Sequence, residues 1–282
     1  MTRDRDVVTL KRSSPEALAE AADINFVTHA GWLQARLQGM RVFDQGDLML
    51  LDSGLPCDTF NFVCRARLSA GAAEERAAET IGHFRRAGRP FSWWVGPADR
   101  PRDLGDILLG AGLLRAETER AMAADLEGLQ PGDFAPPGWH VRRVSSESEL
   151  RTFAELNATH WTPPDPHVLR FYELGAAALL THHCPLWFYV GYLDDVPVAT
   201  GELTTGDGVV GLYNIATLAA HRRRGYGTAL TQHLLLEARA RGYRTAILQA
   251  APAGVSLYER LGFRSFGDIT EYKPPAAASP PR

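Results

Sequence analysis

The chain has 282 residues, more than one domain usually contains, so its length predicts two domains. A formal charge of −3 and a pI near 6.3 argue against nonspecific nucleic-acid binding, which needs a strong excess of cations. The three cysteines include no C-x-x-C pair, which argues against zinc and favours a reducing cytoplasm. Because no stretch approaches ~20 apolar residues and the charged start resembles no signal peptide, we expect a soluble protein without a membrane partner.

The amino-terminal half alternates predicted helices and strands. Helices are predicted at Glu16 to Ala22, Glu74 to Ala87 and Asp103 to Gly110. Strands are predicted at Asp47 to Asp52, Asn61 to Leu68, Phe91 to Val95 and Met122 to Leu126. Residues 130–138 are dense in proline and glycine, so we expect a linker there, after a first domain of residues 1–129.

The second domain is predicted to span residues 139–273. It is expected to start with a strand at Trp139 to Val144, followed by helices at Ser148 to His160 and Phe171 to Leu180. The next predicted strands are Pro185 to Tyr192, Pro197 to Thr204 and Val209 to Leu218. The tail, residues 274–282, holds four prolines and three alanines and is predicted to be disordered.

A glycine-rich turn follows the Val209 strand and precedes an amphipathic helix, Ala229 to Arg241, and another apolar strand, Thr245 to Ala250. Gly225 and Gly227 lack a Cβ, so the backbone can approach a bulky anion, and the N–H groups of the first helical turn point at it. Three adjacent arginines can add charge-assisted hydrogen bonds to phosphate oxygens. The sequence therefore predicts a phosphate cradle within a βαβ unit, formed by Arg222, Arg223, Arg224, Gly225, Tyr226, Gly227 and Thr228.

Neither the G-x-G-x-x-G dinucleotide fingerprint nor the mononucleotide P-loop fits this turn. The pattern is R-x-x-G-x-G from Arg222, with Asn214 to Leu218 just upstream and Tyr258 to Phe263 one helix and one strand later. This combination resembles the GNAT superfamily of acyl-CoA N-acyltransferases, over roughly Trp139 to Lys273. The resemblance implies an α/β (α+β) fold in which a mixed, mostly antiparallel sheet is flanked by helices and contains one parallel βαβ pair.

The amino-terminal half carries a faint repeat of the same order. Leu108 to Leu113 aligns with Tyr258 to Phe263, and the preceding helix and strand correspond as well. Where the phosphate loop would lie, however, there is one glycine, no arginine and two carboxylates, Glu74 and Glu75, and Leu108 takes the place of Tyr258. We therefore expect a tandem-GNAT chain whose first domain, residues 1–129, is degenerate and structural.

The resemblance also implies roles for individual residues. Acetyl-CoA is expected as cosubstrate, and Tyr258 is expected to protonate the departing thiolate. Glu202 lies on a strand that should border the acceptor cleft. It is a candidate catalytic group, or equally a strand residue that points to solvent. The family's glutamate base has no counterpart at Gly211 to Asn214, so the base is not identified. The expected cofactor-binding residues are Ala216, Thr217, Leu218, Arg222, Arg223, Arg224, Gly225, Tyr226, Gly227, Thr228, Gln249, Ser256 and Tyr258.

Other site interpretations stay open at this point. His182, His183 and Cys184 resemble a metal cluster in composition only, since adjacent residues rarely converge on one ion, and no metal is expected. His160 and Trp161 either line the acceptor site or end a helix in the core.

The predicted activity is N-acetyl transfer from acetyl-CoA to an amine, on a small molecule, a peptide or a protein, by direct attack. A noncatalytic acyl-CoA-binding regulatory module is the alternative, and a nucleic-acid binder using the arginines is a third reading. The expected assembly is a monomer with two pseudo-equivalent domains, or a homodimer.

Overall fold

The computed structural model describes residues 14–130, 132 and 135–275. Within them lie seven α-helices: α1 Pro15–Gly31, α2 Ala73–Ala87, α3 Leu104–Gly110, α4 Glu147–Ala158, α5 Pro166–Leu179, α6 Tyr226–Ala240 and α7 Val255–Arg260. The strands are β1 Arg41–Asp44, β2 Met49–Asp52, β3 Asn61–Cys64, β4 Ser92–Val95, β5 Leu114–Asp125, β6 Trp139–Arg143, β7 Leu186–Leu193, β8 Val196–Gly206, β9 Val209–Thr217, β10 Thr245–Ala250 and β11 Arg264–Lys273. No helix among these residues is long and apolar enough to cross a membrane.

The strands form one continuous sheet in the order β1-β2-β3-β4-β11-β5-β10-β9-β8-β7-β6. Two neighbouring pairs, β3–β4 and β9–β10, are parallel, and the others are antiparallel. Each parallel pair is joined through a helix, α2 or α6, as the βαβ pattern requires. The mixed α/β fold expected from the sequence is confirmed, with one parallel βαβ pair in each half.

The two halves exchange strands at the centre of this sheet. β5, from the amino-terminal half, lies between β10 and β11, while β11, the last strand, lies between β4 and β5. The predicted boundaries at residues 129 and 139 divide the sequence into two halves, but strands of one half pair with strands of the other in the sheet. The predicted linker lies partly, and the predicted disordered tail mostly, outside the described residues, at 131, 133, 134 and 276–282.

Helices cover both faces of the sheet. On β8, Gly201 faces Leu230 and Leu234 of α6, whereas its neighbour Glu202 faces His29 of α1, because successive strand residues point to opposite faces. α4 and α5 pack on the same face as α1, through a core that contains Leu33, Phe153 and Phe188. Helix α1 of the amino-terminal half and helices α4 and α5 of the carboxyl-terminal half therefore enclose a space on one face of the sheet.

Two elements are longer than the sequence predicts. The helix expected to end at Ala22 continues to Gly31, and the strand expected to start at Met122 begins at Leu114. β1 was not predicted at all. Helices α2 and α6 and strand β10 match their predicted spans closely, because glycines and the apolar pattern mark their ends.

Candidate functional site

The parallel strands β9 and β10 separate before they end. Their pairing runs only from Ala246 with Val210 to Leu248 with Leu212, although β9 continues to Thr217. Asn214 has φ of +52°, and the β8–β9 register shifts between Thr200 and Glu202, so β9 bends away from β10 while staying on β8. A gap therefore opens at the carboxyl end of β9, next to the predicted phosphate loop.

Thr217 presents its backbone to this gap. The Leu218 N–H donates to Val198 O at 3.0 Å, so the Leu218 amide is used within the sheet. Because consecutive residues of a strand point their N–H and C=O groups to alternate edges, those of Thr217 face the gap. Arg222 Nε donates to the Thr217 carbonyl at 3.0 Å on that side. Of Thr217 and Leu218, two of the residues whose amides are expected to hold the thioester, only Thr217 has its N–H directed into the gap.

The glycine-rich loop has the backbone geometry of a helix cap. Gly225, with φ of +89°, directly precedes α6, and Arg223 also has a positive φ of +63°. A Cβ on Gly227 would lie 3.6 Å from both Thr217 Oγ1 and Leu257 Cδ1, so this first turn adjoins the end of β9 and helix α7. Because α6 carries no acidic residue in its first turn, the amides there remain suited to an anion.

The remaining predicted cofactor residues surround this loop. The side chain of Tyr226 is buried, with its ring 5.2 Å from that of Trp139, so only its backbone is available to a ligand. Ala216 is buried, Thr228 and Gln249 are half-buried, and Ser256 and the side chains of Arg222, Arg223 and Arg224 are exposed.

Tyr258 lies on α7, with its ring 5.8 Å from Phe263 in an edge-on arrangement. Burial, and then the nearby charge of Glu119, raises the pKa of Tyr258 to about 12. Glu119 belongs to the exchanged strand β5, and burial followed by repulsion from Glu117 and Glu271 raises the pKa of Glu119 to about 7. Tyr258 therefore keeps its proton at neutral pH, as a proton donor must.

Glu202 is fully buried, contrary to the solvent-facing interpretation of the sequence. Its Oε1 accepts hydrogen bonds from Thr204 Oγ1 at 2.6 Å and from His29 Nδ1 at 2.7 Å, and its Oε2 accepts one from Asn214 Nδ2 at 2.8 Å. These donors offset the cost of burying a carboxylate. Since a carboxylate only accepts, His29 holds its proton on Nδ1, and Nε2 is the nitrogen that can take another.

His29 is positioned by a second set of contacts between the halves. Its ring stacks on that of Tyr213 at 3.9 Å, and the Tyr213 hydroxyl donates to Asn25 Oδ1 at 3.0 Å. Asn25 Nδ2 donates in turn to Thr204 O. A Cβ on Gly211 would overlap the Asn25 side chain, so glycine is required at this position of β9, within the segment Gly211 to Asn214 where the resemblance would place the family's glutamate.

A cavity of about 80 Å³ lies between α1, α4 and α5, beside Glu202 and Asn214. The site residues that the sequence did not identify are His29, Asn157 and Tyr172. For His29 a signal was present, because Asn25 and His29 are four residues apart and share one face of α1. The residues lining the cavity are His29, Ala30, Leu33, Thr59, Phe60, Phe62, Asn157, Trp161, Val168, Phe171, Tyr172, Leu179, Leu186, Phe188, Glu202 and Asn214.

Trp161 thus lines this cavity, whereas the neighbouring His160 is exposed at the helix end. Among the residues that the structure describes, no group of three or more His, Cys, Asp or Glu side chains is placed to hold a metal ion.

The amino-terminal half has the same strand geometry, but its gap is closed. Arg65, with φ of +54°, lies two residues beyond the last β3–β4 pair, as Asn214 does in the other half. There, however, Arg100 N donates to Ala66 O at 2.9 Å and Leu68 N donates to Arg100 O at 3.0 Å, so the chain after β4 fills the gap. Leu108, aligned with Tyr258, is buried in the core.

The three cysteines are free and buried. Burial raises the pKa of Cys57 and that of Cys184 to about 11, and the pKa of Cys64 well above its usual value. A thiolate is the reactive form of cysteine, so these side chains are poor nucleophiles at neutral pH.

Comparisons with known proteins agree with this geometry. Residues 150–263 match the family model of the acetyltransferase (GNAT) family. A GCN5-related N-acetyltransferase from Kribbella flavida has a similar structure, with a TM-score of 0.69 and 20% identity, over 90% of this chain and 96% of that one. A tandem GNAT protein from the clavulanic acid biosynthesis pathway is also similar, with a TM-score of 0.59 and 14% identity over 94% of each chain. No curated protein matches this sequence.

These identities are low, so the solved structures establish likeness of fold only. The family match runs from α4 through α7 and includes the glycine-rich loop and Tyr258. Residues 150–263 are therefore similar to the GNAT acetyltransferase family, and the chain as a whole has a fold similar to that of GNAT proteins.

Proposed function

We propose that this protein is an N-acyltransferase that moves an acetyl group from acetyl-CoA to an amine. The observation that carries the proposal is the coincidence, at one strand end, of the β9–β10 gap, the glycine-rich start of α6 and a cavity with a buried carboxylate. Asn214 lines the cavity and lies three residues before Thr217, whose backbone faces the gap, so a thioester in the gap would lie near an acceptor in the cavity.

In this proposal the cosubstrate lies along the gap. The pyrophosphate binds the amides of Gly225 to Thr228, with Arg222, Arg223 and Arg224 neutralising its charge. The thioester carbonyl accepts a hydrogen bond from the Thr217 amide, which polarises it for attack. Ala216 and Leu218 frame this amide, and Gln249 and Ser256 border the opposite side of the gap.

The chemistry is a direct displacement. The amine nitrogen attacks the thioester carbon, a C–N bond forms and the C–S bond breaks. The surplus proton of the amine goes to the His29–Glu202 pair, at His29 Nε2, and Tyr258 gives its proton to the departing thiolate. A covalent cysteine route is disfavoured because burial raises the pKa of Cys184.

We further propose that the chain is a tandem-GNAT protein whose first half binds no coenzyme A. Its closed gap, the carboxylates Glu74 and Glu75 at the start of α2, and the buried Leu108 all support this interpretation. That half instead provides His29 to the acceptor cavity and β5 to the sheet beside β10. Free cysteines suit a reducing compartment, and we place the protein in the cytoplasm.

The test is turnover with acetyl-CoA and a panel of amines, followed by release of the coenzyme A thiol, beside calorimetric binding of acetyl-CoA. Transfer to an amine that depends on Glu202 and Tyr258 supports the proposal. Binding of acetyl-CoA without transfer to any amine would instead favour a noncatalytic acyl-CoA-binding module.

A further inference from the structure

The segment that closes the gap of the amino-terminal half lies where the cosubstrate would lie in the other half. Leu68 corresponds to Thr217, because each lies five residues beyond the last parallel pair of its strand, at Val63 and at Leu212. The N–H of Thr217 faces an open gap, whereas the N–H of Leu68 donates to Arg100 O at 3.0 Å. A piece of the chain itself therefore occupies the gap of the amino-terminal half.

Beside this segment, one arginine joins carboxylates that belong to two different elements. Arg67 Nη1 donates to Asp99 Oδ1 at 2.7 Å, next to the segment that fills the gap. Arg67 Nη2 donates to Glu20 Oε2 at 2.6 Å and to Asp23 Oδ2 at 2.7 Å, and both of these acids lie on α1. We call these four residues the Arg67 cluster. A single guanidinium group thus ties α1 to the closed gap.

The acids of the cluster depend on this cation because they are largely shielded from water. The side chain of Asp99 is 2% exposed and that of Asp23 is 12% exposed. Burial raises the pKa of both carboxyls, and the charge of Arg67 acts in the opposite direction. A guanidinium also presents its N–H bonds in a fixed fork, so it sets the direction of each contact. Moving α1 would leave a buried acid without its partner, which is costly.

The apolar contacts of α1 define its position less sharply. Four of its seven buried residues are alanine or glycine, and small side chains form only shallow ridges against a neighbouring element. Directional polar contacts therefore decide where α1 lies on the sheet. Asp23 precedes His29 by six residues, which is about 9 Å along a helix. A helix of this length is stiff, so a displacement at Asp23 is transmitted to His29.

From these contacts, and resting on the proposed function, we infer that Arg67 is a positioning residue for the acceptor site. By holding Glu20 and Asp23 of α1 beside Asp99, it sets the position of His29 opposite Glu202. Arg67 does not line the cavity, so it acts through α1 and not on a substrate. The closed gap of the amino-terminal half is, on this view, the anchor of the helix that reaches the site of the other half.

Arg67→Lys tests the inference because it keeps the charge and removes the fork. One ammonium group cannot hold all three acids in the same geometry. Arg76→Lys is the matched control: the Arg76 side chain is 23% exposed, against 24% for Arg67, and it also pairs with two carboxylates, Asp47 and Glu79. Neither of these belongs to α1. An arginine that merely stabilises the fold would behave alike at both positions.

The first measurement is turnover of the full-length protein with acetyl-CoA and the best amine acceptor. We expect kcat to fall about tenfold in Arg67→Lys and to change less than about twofold in Arg76→Lys, because small misplacements of a reacting group are costly. The Kd for acetyl-CoA should stay unchanged in both variants. Equal losses of kcat in the two variants would overturn the inference.

The second measurement needs no acceptor. The proton on His29 Nδ1 is hydrogen-bonded to buried Glu202, so it should exchange slowly and give a downfield proton NMR resonance, assigned by its loss in His29→Ala. We expect this resonance to shift or broaden in Arg67→Lys and to stay in place in Arg76→Lys. An unchanged resonance in Arg67→Lys would overturn the inference.

If Arg67→Lys does not fold, Asp23→Asn replaces it, since it removes one charge of the cluster on α1 and keeps the shape of the side chain. The same change in the His29 resonance is expected. Failure of the proposed function is a separate outcome: no transfer from acetyl-CoA to any amine by the native protein would overturn the transferase, while the His29 resonance would still decide whether Arg67 positions α1.

Discussion

Nδ1 of His29 and Oε1 of Glu202 lie 2.7 Å apart although 173 residues separate them in the sequence. The first belongs to α1 of the amino-terminal half and the second to β8 of the carboxyl-terminal half, so the candidate acceptor site needs both. The half whose own strand gap is closed thereby contributes a side chain to the candidate acceptor site.

Removing either partner of this pair tests its part in proton transfer. We expect His29→Ala and Glu202→Gln each to lower kcat by about 10²-fold, the usual scale for a positioned base, with an unchanged Kd for acetyl-CoA. Stopped-flow or steady-state thiol release measures the rate. Added imidazole should restore part of the His29→Ala activity, and a merely structural histidine would show no such rescue. Thr28→Ala, next to His29 on α1, is the control expected to keep its rate.

Gly227→Asp is expected to abolish coenzyme A binding without unfolding the protein. A Cβ at this position meets only ordinary contacts at 3.6 Å, and an acid in the first turn of α6 favours the helix, while its charge repels pyrophosphate. Gly227→Ala should therefore still bind. Calorimetry of the native protein should give one coenzyme A per chain; two equivalent sites, or full affinity in Gly227→Asp, would contradict the proposed site.

Tyr258→Phe keeps the ring beside Phe263 and deletes one hydroxyl. Because burial and Glu119 raise the pKa of Tyr258 to about 12, the native phenol is fully protonated across the working pH range. We expect kcat to fall by roughly 10²-fold with little change in acetyl-CoA affinity. Tyr243→Phe, in a half-buried position outside the site, serves as the control. If folded Tyr258→Phe turned over at an unchanged rate while chemistry was rate-limiting, the proton for the departing thiolate would come from water instead of Tyr258.

Glu119→Gln should change how stability depends on pH. The pKa of Glu119 is about 7 in the folded chain and near 4.3 when unfolded, so the folded state loses stability as pH rises between these values. At pH 8 we expect the free energy of unfolding of the variant to exceed that of the native protein by about 1–3 kcal/mol. At pH 4 we expect the two proteins to have the same free energy of unfolding. Urea unfolding at several pH values measures this. Glu117→Gln, on an exposed part of β5, should gain less stability at pH 8 than Glu119→Gln.

The exchanged strands predict that neither half folds alone. A fragment of residues 139–282 lacks β5, which lies between its own β10 and β11, and a fragment of residues 1–130 lacks β11 beside β4. We expect both to be unfolded or aggregated by circular dichroism and gel filtration, and to form a complex when expressed together. A folded amino-terminal fragment that binds acetyl-CoA tightly would contradict both the exchange and the degenerate site.

The sequence predicts those features that depend on local pattern. The ends of α6 follow from Gly225 and Gly242, and the strand β10 from its apolar run, because backbone conformation and periodicity are encoded nearby. The resemblance carried by Arg222 to Thr228 and by Tyr258 led to the same family that the comparison matches.

The parts that sequence reasoning missed depend on distant contacts. α1 was predicted too short because Asn25 and His29 interrupt its apolar periodicity, and they do so because that face meets the polar groups of β8 and β9. The length of β5 was missed for a related reason. Its first part, Leu114 to Arg120, is charged and mostly exposed, and only pairing with β11 makes it a strand.

The central position of β11 has a consequence for synthesis of the chain. Because β11 comes much later in the chain than β4 and β5 and pairs directly with both, the amino-terminal half cannot complete its sheet until β11 has been made. Until residue 273 has left the ribosomal tunnel, β4 and β5 each expose an unpaired edge that can pair with another chain. A pause in translation before β11 would therefore prolong this exposure and increase aggregation of the nascent chain.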